Sequence, residues 1–127
     1  MVGIVVVSHS PDLARGLAEL AAQMAGPDVR VEPAGGAPDG GLGTDEDLVQ
    51  RAIAAADQGD GVIVLGDLGS AILTVRHVLE RRRNGHVRLV DAPLVEGAVA
   101  AAVTASAARP VEEVAKAAEE ARGVGKL

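Results

Sequence analysis

His9 lies between two serines, in Ser8-His9-Ser10, and is followed at once by Pro11 and Asp12. An imidazole is nucleophilic near neutral pH, and the first turn of a helix offers free N–H groups to an anion, so a histidine here suits covalent capture of a phosphoryl group. It works best when an acid fixes its tautomer, because a proton held on one ring nitrogen leaves the lone pair on the other. Asp67, in Gly66-Asp67-Leu68-Gly69-Ser70, is the one acid placed at the end of a neighbouring apolar run. His9 and Asp67 are therefore the expected catalytic pair. Ser10, Thr44, Gly69 and Ser70 also stand where an apolar run gives way to a helix, and are the expected surroundings of the phosphoryl group. A lone histidine in a turn is ordinarily a surface residue, but four loops gathering around this one favour a functional reading.

Other chemistries fit less well. His77 and His86 read as surface residues, and no HxH or HxxxH pair joins any of the three histidines, so no metal site is expected. Ser8, His9 and Asp67 carry the letters of a hydrolase triad, yet adjacent side chains on an extended chain point to opposite sides, and there is no GxSxG elbow. The glycines of residues 35–43 lack both the Lys-Ser/Thr ending of a P-loop and GxGxxG spacing, so no nucleotide cofactor is expected. That long loop reads instead as an edge for docking a protein.

These residues need elements to hold them, and the chain alternates short apolar runs with helical patterns, the sequence form of a parallel sheet covered on both faces. Strands are expected over residues 3–7, 29–32, 62–65 and 87–90. The first helix opens with Ser10 as N-cap and Pro11 at its first position, runs to about Met24 with Leu13, Leu17, Leu20 and Met24 as its apolar stripe, and stops at Gly26-Pro27. A second is expected from Thr44, with Thr44 and Asp47 approximating a capping box and Leu48, Ala52 and Ala55 inward. The third should start at Ser70, turn Ile72, Val75, Val78 and Leu79 inward, and end on Arg81, Arg82 and Arg83, with an Asn84-Gly85 turn beyond. Two helices, over residues 94–107 and 111–122, close an α/β fold of about four strands with helices on both faces. In such a sheet ligands bind beyond the carboxyl ends of the strands, so three helix N-termini should face one anion site.

The 127 residues fit a single domain over residues 1–127. Cysteine is absent, which excludes a disulfide framework and thiol chemistry and suits a reducing compartment, and Phe, Tyr and Trp are absent too, which removes any platform for stacking bases or flavins. Eighteen acidic residues against twelve basic give a net charge of -6, a field that repels nucleic acid. Residues 1–7 lack the basic leader of a signal peptide, and no stretch approaches the ~20 apolar residues that span a bilayer, so a cytoplasmic location without membrane contact is expected. The fourth helix is apolar nearly all round, through Val95, Ala98, Val99, Ala102, Val103 and Ala105, more than one sheet face can cover, and this predicts a homodimer.

Four stretches carry a resemblance: VGIVVVSHSPDLARGLAELAAQM at residues 2–24, GTD at 43–45, GVIVLGDLGSA at 61–71 and APLVEGAVAA at 92–101. In order and spacing they resemble the mannose-type enzyme IIA family of the phosphoenolpyruvate-dependent phosphotransferase system (PTS), and within it the phosphocarrier subunits of dihydroxyacetone kinase, the DhaM group. The resemblance implies a flavodoxin-like three-layer fold. It also implies that His9 accepts a phosphoryl group from the phosphocarrier HPr and passes it to ADP on the nucleotide-binding subunit DhaL, with dihydroxyacetone held by DhaK. The covalent phosphohistidine is then the only carrier, with no separate cofactor, and members suggest that the nitrogen facing away from the aspartate reacts. Some relatives continue into fused phosphocarrier domains, whereas a chain ending at Leu127 would depend on separate HPr. Sugar-transport IIA proteins share the histidine but are similar to one another in a Gly-Gly-Ser-Pro turn. Leu68-Gly69-Ser70-Ala71 and the PLVEGA segment resemble the kinase branch instead. A ligand-binding module without a covalent step is the remaining alternative, and it would tolerate loss of His9.

Overall fold

Strand β1 (Gly3–Ser8) is buried along its whole length because it pairs in parallel on both sides, with β2 (Val31–Gly35) and with β3 (Val62–Gly66). β4 (Val87–Leu89) adds to β3, giving the order β2-β1-β3-β4 in a computed structural model that describes residues 1–82 and 86–127. Among the described residues five helices cover the sheet: α1 (Pro11–Ala25), α2 (Glu46–Ala56), α3 (Gly69–Glu80), α4 (Leu94–Ser106) and α5 (Val111–Glu120). Successive strand residues face opposite ways, so Ile4, Val6, Ile63 and Leu65 pack against α1, α4 and α5, while Val5, Val7, Val62 and Val64 pack against α2 and α3. The three-layer α/β architecture expected from the alternation of runs is the one observed.

Register brings the future site together. Val7 lies opposite Gly66, so the next residues along each strand, Ser8 and Asp67, emerge side by side, and the Asp67 amide donates to the Val7 carbonyl at 3.1 Å. On the other flank Ser8 lies opposite Gly35, where a Cβ would come within 2.7 Å of the Ser10 carbonyl oxygen and 2.8 Å of the Ala14 methyl. Only glycine lets β2 end this close to the N-terminus of α1.

Several expectations shift. β2 starts later than residue 29 and runs through Pro33, which an edge strand tolerates because, among the described residues, one side of its ladder has no partner. On α1 the expected leucine stripe is mostly outside: Leu13, Leu20 and Met24 are 44%, 43% and 57% exposed. The buried face is Ala14, Leu17, Ala18 and Ala21, whose small side chains let the helix sit close to the sheet. α2 buries Val49, Ala52, Ile53 and Ala56, with Ala55 exposed. α3 begins at Gly69, one residue early, and buries Ala71, Val75 and Val78. Arg81 lies past its end and approaches Glu46 of α2 at 3.4 Å, so it ties two helices together. Arg83 and the Asn84-Gly85 turn lie outside the described residues. Among the described residues no helix is long and apolar enough to cross a membrane.

Candidate active site

The strand order reverses between β1 and β3, and His9 and Asp67 follow the carboxyl ends of those two strands, so they flank the crevice where ligands bind in open α/β sheets. Asp67 is the hub. Its Oδ1 accepts from His9 Nδ1 at 2.9 Å and from the Leu68 amide at 2.7 Å. Its Oδ2 accepts from the Ser8 hydroxyl at 2.8 Å and from the His9 amide at 3.0 Å. Four donors occupy the lone-pair directions of one carboxylate whose side chain is 13% exposed. Burial alone would raise this carboxyl, but the hydrogen bonds from the His9 amide, the Ser8 hydroxyl, the His9 ring and the Leu68 amide outweigh it and hold the group below its ordinary value.

An ionised carboxylate only accepts, so the proton between Asp67 and the ring belongs to His9 Nδ1. In the neutral ring the lone pair is then on Nε2, which lies against the Ser70 hydroxyl. Because Nε2 accepts in this tautomer, Ser70 donates, leaving a nucleophilic nitrogen beside a hydroxyl that can turn to an incoming oxygen.

Of the three helix ends expected to face an anion, only one is free to do so. The N-terminus of α1 is capped by Ser10, whose hydroxyl accepts from the Leu13 amide at 3.2 Å, and Pro11 offers no N–H while Asp12 in the first turn repels anions. α2 is capped by Asp45, which accepts from the Asp47 amide at 2.9 Å, and Glu46 and Asp47 in its first turn repel anions. α3 has no side-chain cap and no acid in its first turn. A Cβ added to Gly69 would meet nothing within 4 Å, so this helix end is open to an approaching group.

The family model that matches residues 3–115 is EIIA-man, PTS system fructose IIA component. The chain belongs to this family. Among curated relatives it is 39% identical to the phosphoryl donor subunit DhaM of PEP-dependent dihydroxyacetone kinase 2 of Listeria innocua, over 81% of this chain and 85% of that one. It is 40% identical to the DhaM phosphoryl donor subunit of Escherichia coli K12, over 90% of this chain but only 25% of that protein. The chain thus spans most of the Listeria relative and about a quarter of the enterobacterial one. The crystal structure of an unknown function protein, EF1359, superposes with a TM-score of 0.84 at 34% identity, covering 99% of this chain and 96% of that chain. These relatives place the chain in the DhaM group of EIIA-man.

In this EIIA-man chain His9, Asp67 and Ser70 form one bonded cluster, with Ser10 at the cap beneath it and Gly69 at the open helix end. Thr44 takes a different place. Its hydroxyl is 2.8 Å from that of Thr74, which donates to the Ser70 carbonyl at 3.1 Å, so Thr44 must donate to Thr74. Thr44 and Thr74 brace the first turn of α3 from behind, while the Gly43 amide closes the long loop onto the His9 carbonyl at 2.9 Å. Sequence reasoning passed over Ser8 and Thr74. The signal for Ser8 was a polar residue ending a run of valines; that for Thr74 was a hydroxyl four residues after Ser70, one helical turn away. His77 stays outside the cluster, exposed and 3.3 Å from Glu46.

Proposed function

We propose that this chain is the phosphohistidine relay subunit of a PTS-dependent dihydroxyacetone kinase, acting in the cytoplasm between HPr and the ADP-loaded subunit DhaL. The observation that carries it is the Asp67 bond to His9 Nδ1, which leaves the Nε2 lone pair facing Ser70 and the uncapped end of α3. The "phosphoryl donor subunit" of the relatives' names agrees with that geometry.

In the accepting step Nε2 attacks the phosphorus of phospho-HPr. A new N–P bond forms as the old one breaks, and the released electron pair returns to the HPr imidazole. Ser70 swings its hydroxyl proton to a phosphoryl oxygen, and the free amides at the start of α3 take up the remaining charge. Asp67 stays ionised and stabilises the positive charge of the phosphorylated ring through Nδ1–H. In the donating step a β-phosphate oxygen of ADP on DhaL attacks the same phosphorus, and the N–P electrons return to Nε2. The ATP so formed phosphorylates dihydroxyacetone on DhaK. No other carrier is needed, because the imidazole holds the group throughout.

Reconstitution tests this reading. With phosphoenolpyruvate, enzyme I and HPr the chain should gain one acid-labile phosphoryl group, which ADP-loaded DhaL discharges. Discharge to a sugar-permease IIB protein but not to DhaL would move the chain to the transport branch.

A homodimer belongs to the same proposal. Val95 and Val103 of α4 are 43% and 44% exposed. Val95, Val99 and Ala100 line an apolar groove with Ala117 and Val124, bordered by the Glu96–Lys126 pair at 3.0 Å. A second copy laid along this groove would cover the excess apolar surface of α4. Sedimentation at micromolar concentration should therefore give twice the 12.8 kDa chain mass. Val99→Glu should return it to the monomer with the fold intact, and a folded Val99→Glu dimer would place the interface elsewhere.

A further inference from the structure

We propose that Ser8 is a positioning residue for phosphoryl transfer: its hydroxyl holds the Asp67 carboxylate in the orientation that keeps the His9 ring proton on Nδ1. Among the described residues Ser8 is the one polar side chain in the buried core, with 0% exposure. The direction of its hydrogen bonds is fixed by chemistry. The Ser10 amide can only donate, and it does so to Ser8 Oγ at 3.0 Å. The ionised carboxylate can only accept, so the Ser8 proton points to Asp67 Oδ2 at 2.8 Å. A directed chain thus runs from the cap residue of α1 through Ser8 to the carboxylate that orients His9.

Without that hydroxyl, Oδ2 keeps only the His9 amide, and the carboxylate can turn about its Cβ–Cγ bond. Oδ1 then loses alignment with Nδ1, and the ring populates the tautomer whose proton is on Nε2, which has no lone pair for phosphorus. The parallel register explains why the group must come from position 8: Ser8 and Asp67 are next to each other across β1 and β3. Ser8 never touches the phosphoryl group. It acts only through Asp67, and its effect on the rate rests on the reading of His9 as acceptor.

The test separates the two. In protein labelled with ¹⁵N-histidine and held in mildly alkaline buffer, the wild-type His9 ring should show one tautomer, protonated at Nδ1. Ser8→Ala and the near-isosteric Ser8→Cys, a poor donor, should both move the two ring nitrogens toward averaged shifts. Their kcat for phosphorylation by phospho-HPr should fall about tenfold with little change in KM. Ser8→Thr retains the hydroxyl and should restore both readouts, which a purely packing role would not do. A folded Ser8→Ala or Ser8→Cys protein with wild-type ring shifts and rate overturns the proposal. Should neither fold, the wild type decides: the Ser8 hydroxyl proton must exchange slowly with solvent, and exchange as fast as that of an exposed serine overturns it. Absence of any label on wild-type His9 would refute the relay function, whereas the tautomer readout judges Ser8 independently.

Discussion

His9→Ala should abolish phosphorylation by phospho-HPr, a loss of more than about 10³-fold, while the protein stays folded. In the proposed relay the imidazole forms the covalent bond, so no neighbour can substitute for it. Ser70 is the nearest other nucleophile, but its oxygen lies against Nε2 with no base behind it once the ring is gone. His77 and His86 are exposed, and His77 pairs with Glu46 away from the open end of α3. The fold should survive because the His9 side chain lies at the rim, 25% exposed, and its amide still donates to Asp67 in the variant. The measurement is acid-labile label after incubation with phosphoenolpyruvate, enzyme I and HPr, with a thermal melt as control. Full labelling of a folded His9→Ala protein would remove His9 from the mechanism and admit the ligand-binding alternative.

What the sequence disclosed about this site depended on how local the signal was. Ser10-Pro11-Asp12 specifies a helix start within three residues, and α1 begins there with Ser10 as its cap. The short runs of valine and isoleucine read as strands, and the carboxyl ends of strands in a parallel sheet share one edge, so the sequence pairs His9 with Asp67 without knowledge of the register. Helix faces were harder to read. Leu13, Leu20 and Met24 have helical spacing and large side chains, yet α1 buries the alanines beside them. In a sheet covered by closely packed helices, room is scarce, and the smallest residues win the inner positions. Gly97 shows the same pressure on α4, where a Cβ would meet the Ala92 methyl and Leu65 Cδ2 at 3.0 Å. Thr44 has the residue type of a common N-cap, but Asp45 next to it is at least as good a cap and takes the role. The Thr44–Thr74 and Ser8–Asp67 bonds link residues distant in sequence, and no period or spacing announces them.

Asp67→Asn should slow phosphoryl transfer by roughly 10²- to 10³-fold and destabilise the fold by about 2–4 kcal/mol. The carboxylate accepts from four donors, two at each oxygen. An amide of the same shape has one accepting oxygen, and its NH₂ must confront two donors whichever way it is turned. The His9 ring can relieve one clash by moving its proton from Nδ1 to Nε2, and that move consumes the lone pair the reaction needs. The rate loss is therefore a tautomer effect. The stability loss has a separate signature in pH. Asp67 has its carboxyl lowered in the folded protein, so its stabilisation is complete above the unfolded value of about 3.9 and is lost as pH falls through the lower folded value. Wild type and Asp67→Asn should thus differ most near neutral pH and converge under acid, where the wild-type carboxyl is itself protonated. Small domains are stable by about 5–15 kcal/mol, so the variant should remain folded at neutral pH and allow its transfer rate to be measured. Urea unfolding across the acid range checks the convergence. A stability gap that stayed constant down to the lowest pH would show that the four hydrogen bonds do not favour the ionised carboxylate, and the assignment of the ring proton to Nδ1 would fall with it.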